Sequence, residues 1–183
     1  MRSNNIIVNI AKRRRYKTMY PVPVPEFWRG EEFVSLKTIS SFDELATIGV
    51  RVISRLPEPV VEVCGPITTG GRGSLKENLH VFEHVTMRLG EDGYHVFNLL
   101  NFQPTIDRLA REWAVNNQGY CWPILNIFFR QVFDAKKINF GYFIPGWESS
   151  VGARWEREAL KVLGVVLREV PEEMIPRRLQ EES

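Results

Sequence analysis

The sequence predicts an α/β domain in which a parallel sheet is covered by helices on both faces, a three-layer arrangement. Three observations carry this. Short apolar runs recur at Val60–Cys64, Tyr94–Leu100, Ile138–Ile144 and Gly164–Arg168, each the length of a buried strand rather than of a helix. Between them lie segments with apolar residues at helical spacing, long enough for the crossovers that parallel pairing requires. With 183 residues, 44% of them hydrophobic, the chain suits one domain with a proper core plus appendages.

Residues 1–55 read as an N-terminal extension with a helix near 42–55, residues 56–170 as the α/β domain and 171–183 as a charged, frayed tail. In the extension, Lys12-Arg13-Arg14-Arg15 is either a solvated surface run or a nucleic-acid or phosphate contact. The Pro21–Pro25 run beside it favours extended backbone. Phe27, Trp28 and Phe33 are expected to pack on the core or on a neighbouring subunit. Ser41-Phe-Asp-Glu44 has the form of a capping box, and Leu45, Ala46, Gly49, Val50 and Ile53 follow at helical spacing, until Pro57 and Pro59 end the helix.

Val60–Cys64 is the first core strand, stopped by Gly65-Pro66. The loop from Gly65 to Gly73 is glycine-rich, so its backbone can approach a ligand without side chains in the way. It lacks both the Lys-Ser/Thr pair of a Walker loop and the dinucleotide fingerprint. A second Ser-x-x-Glu sequence, Ser74–Glu77, opens a helix ending near Gly90 or Gly93. His80 and His84 on that helix have metal-ligand spacing but no third ligand nearby, so they read as a solvated or partner-facing pair. Residues 104–134 are helical and rich in Trp and Phe, with a break expected at Gly119. This ribbon is either a homo-oligomer interface or a second core layer. A sheet with the second strand on one side of the first and the later strands on the other has the flavodoxin/Rossmann-like order.

That order sets the glycine loop beside the stretch Phe143-Ile-Pro-Gly-Trp-Glu-Ser-Ser-Val-Gly-Ala-Arg-Trp-Glu156. Pro145-Gly146 breaks the third strand, and Ser150 is the expected N-cap of a helix from Val151 to about Leu163. A strand end facing a helix N-terminus is where open α/β sheets bind ligands, anionic ones especially. Glu156 lies four residues after Gly152, on the same helical face, and Gly152 leaves room above it.

Pro-Gly-Trp-Glu-x-Ser-x-Gly-Ala-x-x-Glu, with Val63-Cys64-Gly65-Pro66 upstream, resembles the nucleoside 2-deoxyribosyltransferase superfamily over roughly residues 59 to 168. The resemblance is strongest to a small branch encoded by phages and bacteria. It implies a pocket for a nucleoside or nucleotide, in which the Glu at position 156 is the nucleophile that attacks the sugar C1′. By the similarity to members that hydrolyse 2′-deoxynucleoside 5′-phosphates, Ser150 helps hold the phosphate. Gly65, Pro66, Trp147 and Gly152 fall on pocket positions, and Arg72 is the candidate for a phosphate contact, against the alternative of an exposed Arg in a glycine loop. Family members commonly carry a sugar-contacting Asp where this chain has Asn139, which can still hydrogen-bond a sugar hydroxyl but brings no charge. Hence a nucleotide-binding or protein-binding module without turnover stands beside the enzyme as the alternative.

An oxocarbenium-like transition state needs a negative group under C1′ and a proton for the departing base. Glu156 meets the first need, unless it is merely a first-turn carboxylate favoured by the helix dipole. Glu148 is the nearest acid for the second. No metal site and no cofactor are expected. The net charge of +2 is too mild for nucleic acid to be the expected partner. Two cysteines, Cys64 and Cys121, make no disulfide framework and point to a reducing cytoplasm. No apolar run approaches the length of a membrane span.

Overall fold

The computed structural model describes residues 27–68 and 70–179. The basic cluster at 12–15 and the proline run at 21–25 lie outside the described residues. The elements in chain order are α1 (Gly30–Ser35), α2 (Phe42–Arg55), β1 (Val60–Cys64), α3 (Leu75–Glu91), β2 (His95–Val96), α4 (Gln103–Ala114), a π-helical segment (Ile124–Phe129), α5 (Arg130–Asp134), β3 (Ile138–Phe143), α6 (Val151–Val162) and β4 (Val166–Glu169). All pairings are parallel, in the order β2-β1-β3-β4. The three-layer α/β class and the predicted strand order are both present.

Alternation along β1 divides the core between two layers. Val61 and Val63 point to a smaller cluster with Val81, Phe82, Val85 and Leu89 of α3. Val60 and Cys64 point to a larger one built from α2, α4, the π segment, α5 and α6. Leu45, Ala46 and Ile53 of α2 are fully buried in that second layer, so the helix placed in the N-terminal extension is an integral part of the domain. Its capping box forms as read: the Glu44 amide donates to Ser41 Oγ at 3.2 Å and the Ser41 amide to Glu44 Oε2 at 3.1 Å. Arg55, at its C-terminal end, donates to both Glu32 carboxylate oxygens at 2.7 and 2.5 Å and to the Phe27 carbonyl at 2.8 Å, clasping α1 to α2. Trp28 packs on Phe33 and Phe102, with ring centroids 4.5 and 4.9 Å apart. The described end of the extension thus packs on its own core.

The second strand is much shorter than the seven-residue run Tyr94–Leu100. After Val96 the Asn98 side chain accepts from the Leu100 amide at 3.0 Å and turns the chain into a short 3-10 segment, Leu99–Asn101. The aromatic ribbon is for the most part a second core layer: Leu109, Leu125, Phe128, Phe129, Val132 and Phe133 are buried, while Val115 and Trp122 stay exposed. The second Ser-x-x-Glu is only half a box. Ser74 Oγ accepts from the Glu77 amide at 3.2 Å, but the Glu77 carboxylate turns away to pair with Arg72 at 3.5 Å and to accept from the Leu179 amide at 2.8 Å.

That turn explains the tail. Residues 171–179 are not frayed: Met174 and Ile175 pack on the smaller core cluster, the Pro176 carbonyl accepts from Arg72, and Arg177 meets His80 through a backbone hydrogen bond. His80 is therefore buried rather than solvated. No described helix is long and apolar enough to cross a membrane.

Candidate active site

The C-terminal ends of β1 and β3 open onto a cleft of about 180 Å³. Its walls come from the glycine loop after β1, from α4 and the π segment, and from the first turn and a half of α6. As predicted, the loop and the strand-to-helix turn lie side by side. The Gly71 amide donates to Ser149 Oγ at 3.3 Å. Gly70 has φ +75° and a Cβ there would come within 2.2 Å of Ser149 Oγ, so this contact requires glycine. Ser150 caps α6, its Oγ accepting from the Ala153 amide at 3.2 Å, which leaves the amides of Val151 and Gly152 at the cleft without a helical acceptor.

Glu156 lies one turn further in and is 5% exposed. Burial drives its pKa up to about 7, while a hydrogen-bonding contact with the Cys64 thiol pulls the other way. Gly152 sits above it on the cleft wall, where an added Cβ would lie 3.1 Å from the Tyr120 hydroxyl. Burial, and secondarily the Glu156 charge, push the Tyr120 pKa up, so this hydroxyl faces the cleft as a neutral donor. Glu62, in the middle of β1, is fully buried close enough to Glu156 for their charges to oppose, and burial followed by that charge holds it well above the usual carboxylate range. The Cys64 thiol is pushed up by burial and then by Glu156 and Glu62, so it stays a thiol.

Of the residues assigned to the site from the sequence, Gly65, Ser150, Gly152 and Glu156 line this cleft together. The others do not. Pro66 and Arg72 line a neighbouring pocket of about 120 Å³, and the Arg72 guanidinium is spent on Pro176 and Glu77. Asn139 is at the opposite end of the sheet. It is the extra residue of a bulge, between the pairs Val60↔Ile138 and Val61↔Phe140, and its Oδ1 accepts the Val60 amide at 2.7 Å. The absence of an Asp there says nothing about the cleft. Trp147 packs edge-on against Phe143 at 5.5 Å, with the Arg157 guanidinium 4.6 Å from its ring centre. Glu148 is exposed outside the cleft, where its carbonyl accepts from Arg154.

Three groups went unread in the sequence as site residues: Glu62, Cys64 and Tyr120. Glu62 had a signal, since an acid inside Val-Val-Glu-Val-Cys interrupts a strand that a parallel sheet buries on both faces. Tyr120 had none, because only the packing of the segment before the π helix brings it over Gly152. Among the described residues no group of three or more His, Cys, Asp or Glu side chains is placed to hold a metal ion.

No family model, curated protein or solved structure matches the chain. The functional reading therefore rests on the chemistry of the cleft itself.

Proposed function

We propose that the cleft takes a nucleoside or nucleoside 5′-monophosphate and cleaves its N-glycosidic bond, with Glu156 as nucleophile. The observation that carries this reading is a desolvated carboxyl group at the bottom of a sugar-sized cleft, directly below a glycine. As C1′ becomes cationic, a buried carboxylate under it interacts far more strongly than it would in water. Ionised Glu156 forms the C1′–O bond, the C1′–N bond breaks, and its electron pair leaves with the base, which is protonated in turn. Water then attacks C1′ of the glycosyl ester and restores the carboxylate. Glu148 is too far outside to deliver the base's proton. The neutral Tyr120 hydroxyl is the donor inside the cleft, and the water that later attacks C1′ gives a proton back to it. Hydrolysis is favoured over base exchange, because a second base would have to enter the vacated pocket and outcompete water for the glycosyl ester.

A second reading concerns the phosphate. The free amides of Val151 and Gly152 at the α6 N-terminus favour a 5′-monophosphate. Arg72, held by the tail, favours the uncharged nucleoside. Release of free base, measured over matched panels of ribo- and deoxyribonucleosides and their 5′-monophosphates, tests both points. Glu156→Gln should bind the same ligand while losing most release, because only transition-state stabilisation is removed. If the wild type binds a nucleoside and releases no base from any, the protein is a binding module and not an enzyme.

A further inference from the structure

The proposed reaction uses one of two carboxyl groups buried beneath the cleft. The other, Glu62, is 0% exposed, and neither of its oxygens meets a hydrogen-bond partner. Buried polar groups are nearly always partnered, so an orphan carboxyl in the central strand calls for a reason. The sheet supplies none, because a Met of similar length would fill the position without an unpaired polar group.

Strand alternation puts Glu62 on the face of Val60 and Cys64, the face covered by α6. Cys64, two residues on, meets Glu156. Glu62, Cys64 and Glu156 thus form one buried cluster under the cleft. The groups facing it from neighbouring elements do not neutralise two negative charges. Tyr120 and Cys64 are neutral, and Cys121 lies beyond Tyr120. Arg157, whose charge reaches Cys64, is stacked over Phe143 and Trp147 with Glu169 3.5 Å away. Two carboxyl groups in such surroundings cannot both ionise. Glu156, which borders the cleft, is the one that does. Glu62 then retains the proton, and an ionised Glu156 offers its O–H a far stronger acceptor than the carbonyl of a protonated Glu156 does.

We propose that Glu62 is the positioning residue of this site: a permanently neutral acid that turns its O–H onto the Glu156 carboxylate once Glu156 ionises. The inference rests on the reading of Glu156 as the working carboxylate. It adds that a single proton is held between the two groups. The hydrogen bond would orient the nucleophile toward C1′ and make its ionised form attainable at neutral pH despite burial.

The test is a titration that needs no turnover. In protein labelled with 13C at the glutamate carboxyl carbons, the Glu156 signal is identified by its loss in Glu156→Gln and followed with pH in the wild type, Glu62→Gln and Glu62→Met. Gln keeps a donor and should leave the Glu156 midpoint close to that of the wild type. Met keeps the shape, lacks a donor and should raise the proton affinity of Glu156 by about tenfold or more. Glu62→Ile, matched to its β-branched neighbours, replaces Met if that variant does not fold, as judged by thermal melting. An unchanged midpoint in the apolar variant, or an upward shift shared by Gln, would overturn the proposal. A downward shift in both would also overturn it, showing that Glu62 is charged and repels. Should no nucleoside yield free base, this result still stands or falls alone. Where base is released, the pH midpoint of kcat/KM should follow the same order.

Discussion

Replacing Glu156 by Gln should stabilise the protein above neutral pH and change little in acid. The wild-type carboxyl titrates at about 7 in the folded chain against 4.5 for an unperturbed group. Between those values the folded state keeps a proton that the unfolded state has released. Stability from this group is therefore fully present below pH 4.5 and drains away as pH rises through about 7. At about 1.4 kcal/mol for each tenfold change in proton affinity, the loss is about 3 kcal/mol. Gln carries no charge in either state and its carbonyl can still accept from Cys64, so it should escape that loss. In a chain of this size the difference corresponds to a melting temperature roughly 6–12 °C higher for the variant at pH about 8.5, shrinking toward zero near pH 4.5. Melting curves of both proteins across that range are the assay. Parallel curves, with a gap that does not depend on pH, would refute the argument that burial has raised Glu156. The same titration sets the direction for catalysis: base release that needs ionised Glu156 should rise with pH through about 7.

Other substitutions separate the cleft from its surroundings. Gly152→Ala should gain up to about 1 kcal/mol of helix stability yet weaken nucleoside binding, seen calorimetrically, because the new Cβ lies 3.1 Å from the Tyr120 hydroxyl. Arg72→Ala should leave nucleoside affinity unchanged and speed proteolysis within 171–179, since its partners are Pro176 and Glu77; lost affinity with an intact tail would return Arg72 to the site. Asn139→Ala should cost about 1–3 kcal/mol in urea unfolding by orphaning the Val60 amide, with base release per folded molecule unaltered. Trp122→Ser should change sedimentation if the exposed end of the aromatic ribbon holds subunits together, and should leave melting almost unchanged if it does not.

The sequence by itself determined the parts that depend on local chemistry. Apolar runs placed the four strands, although the second stops at Val96, well short of its run; Ser41-x-x-Glu44 gave the start of α2, and Ser150 gave the start of α6. The spacing of Gly152 and Glu156 placed both on one helical face, and the strand order then brought the glycine loop to that face. Each of these follows from neighbours a few residues apart or from the chirality of parallel crossovers. Residues whose role depends on distant partners were not legible in this way. Arg72 and Glu77 read as a loop cation and a capping acid, but the tail, about a hundred residues later in the chain, claims both of them. Asn139 read as a sugar contact, although a bulge turns it to the far end of the sheet, where it satisfies a strand amide. Trp147 packs between Phe143 and Arg157 and does not line the cleft. Tyr120 reaches the cleft only through the packing of the π segment, and the raised pKa of Glu156 exists only because α6 presses it against β1. Desolvation is a property of the packed interior, with no local pattern in the chain to announce it.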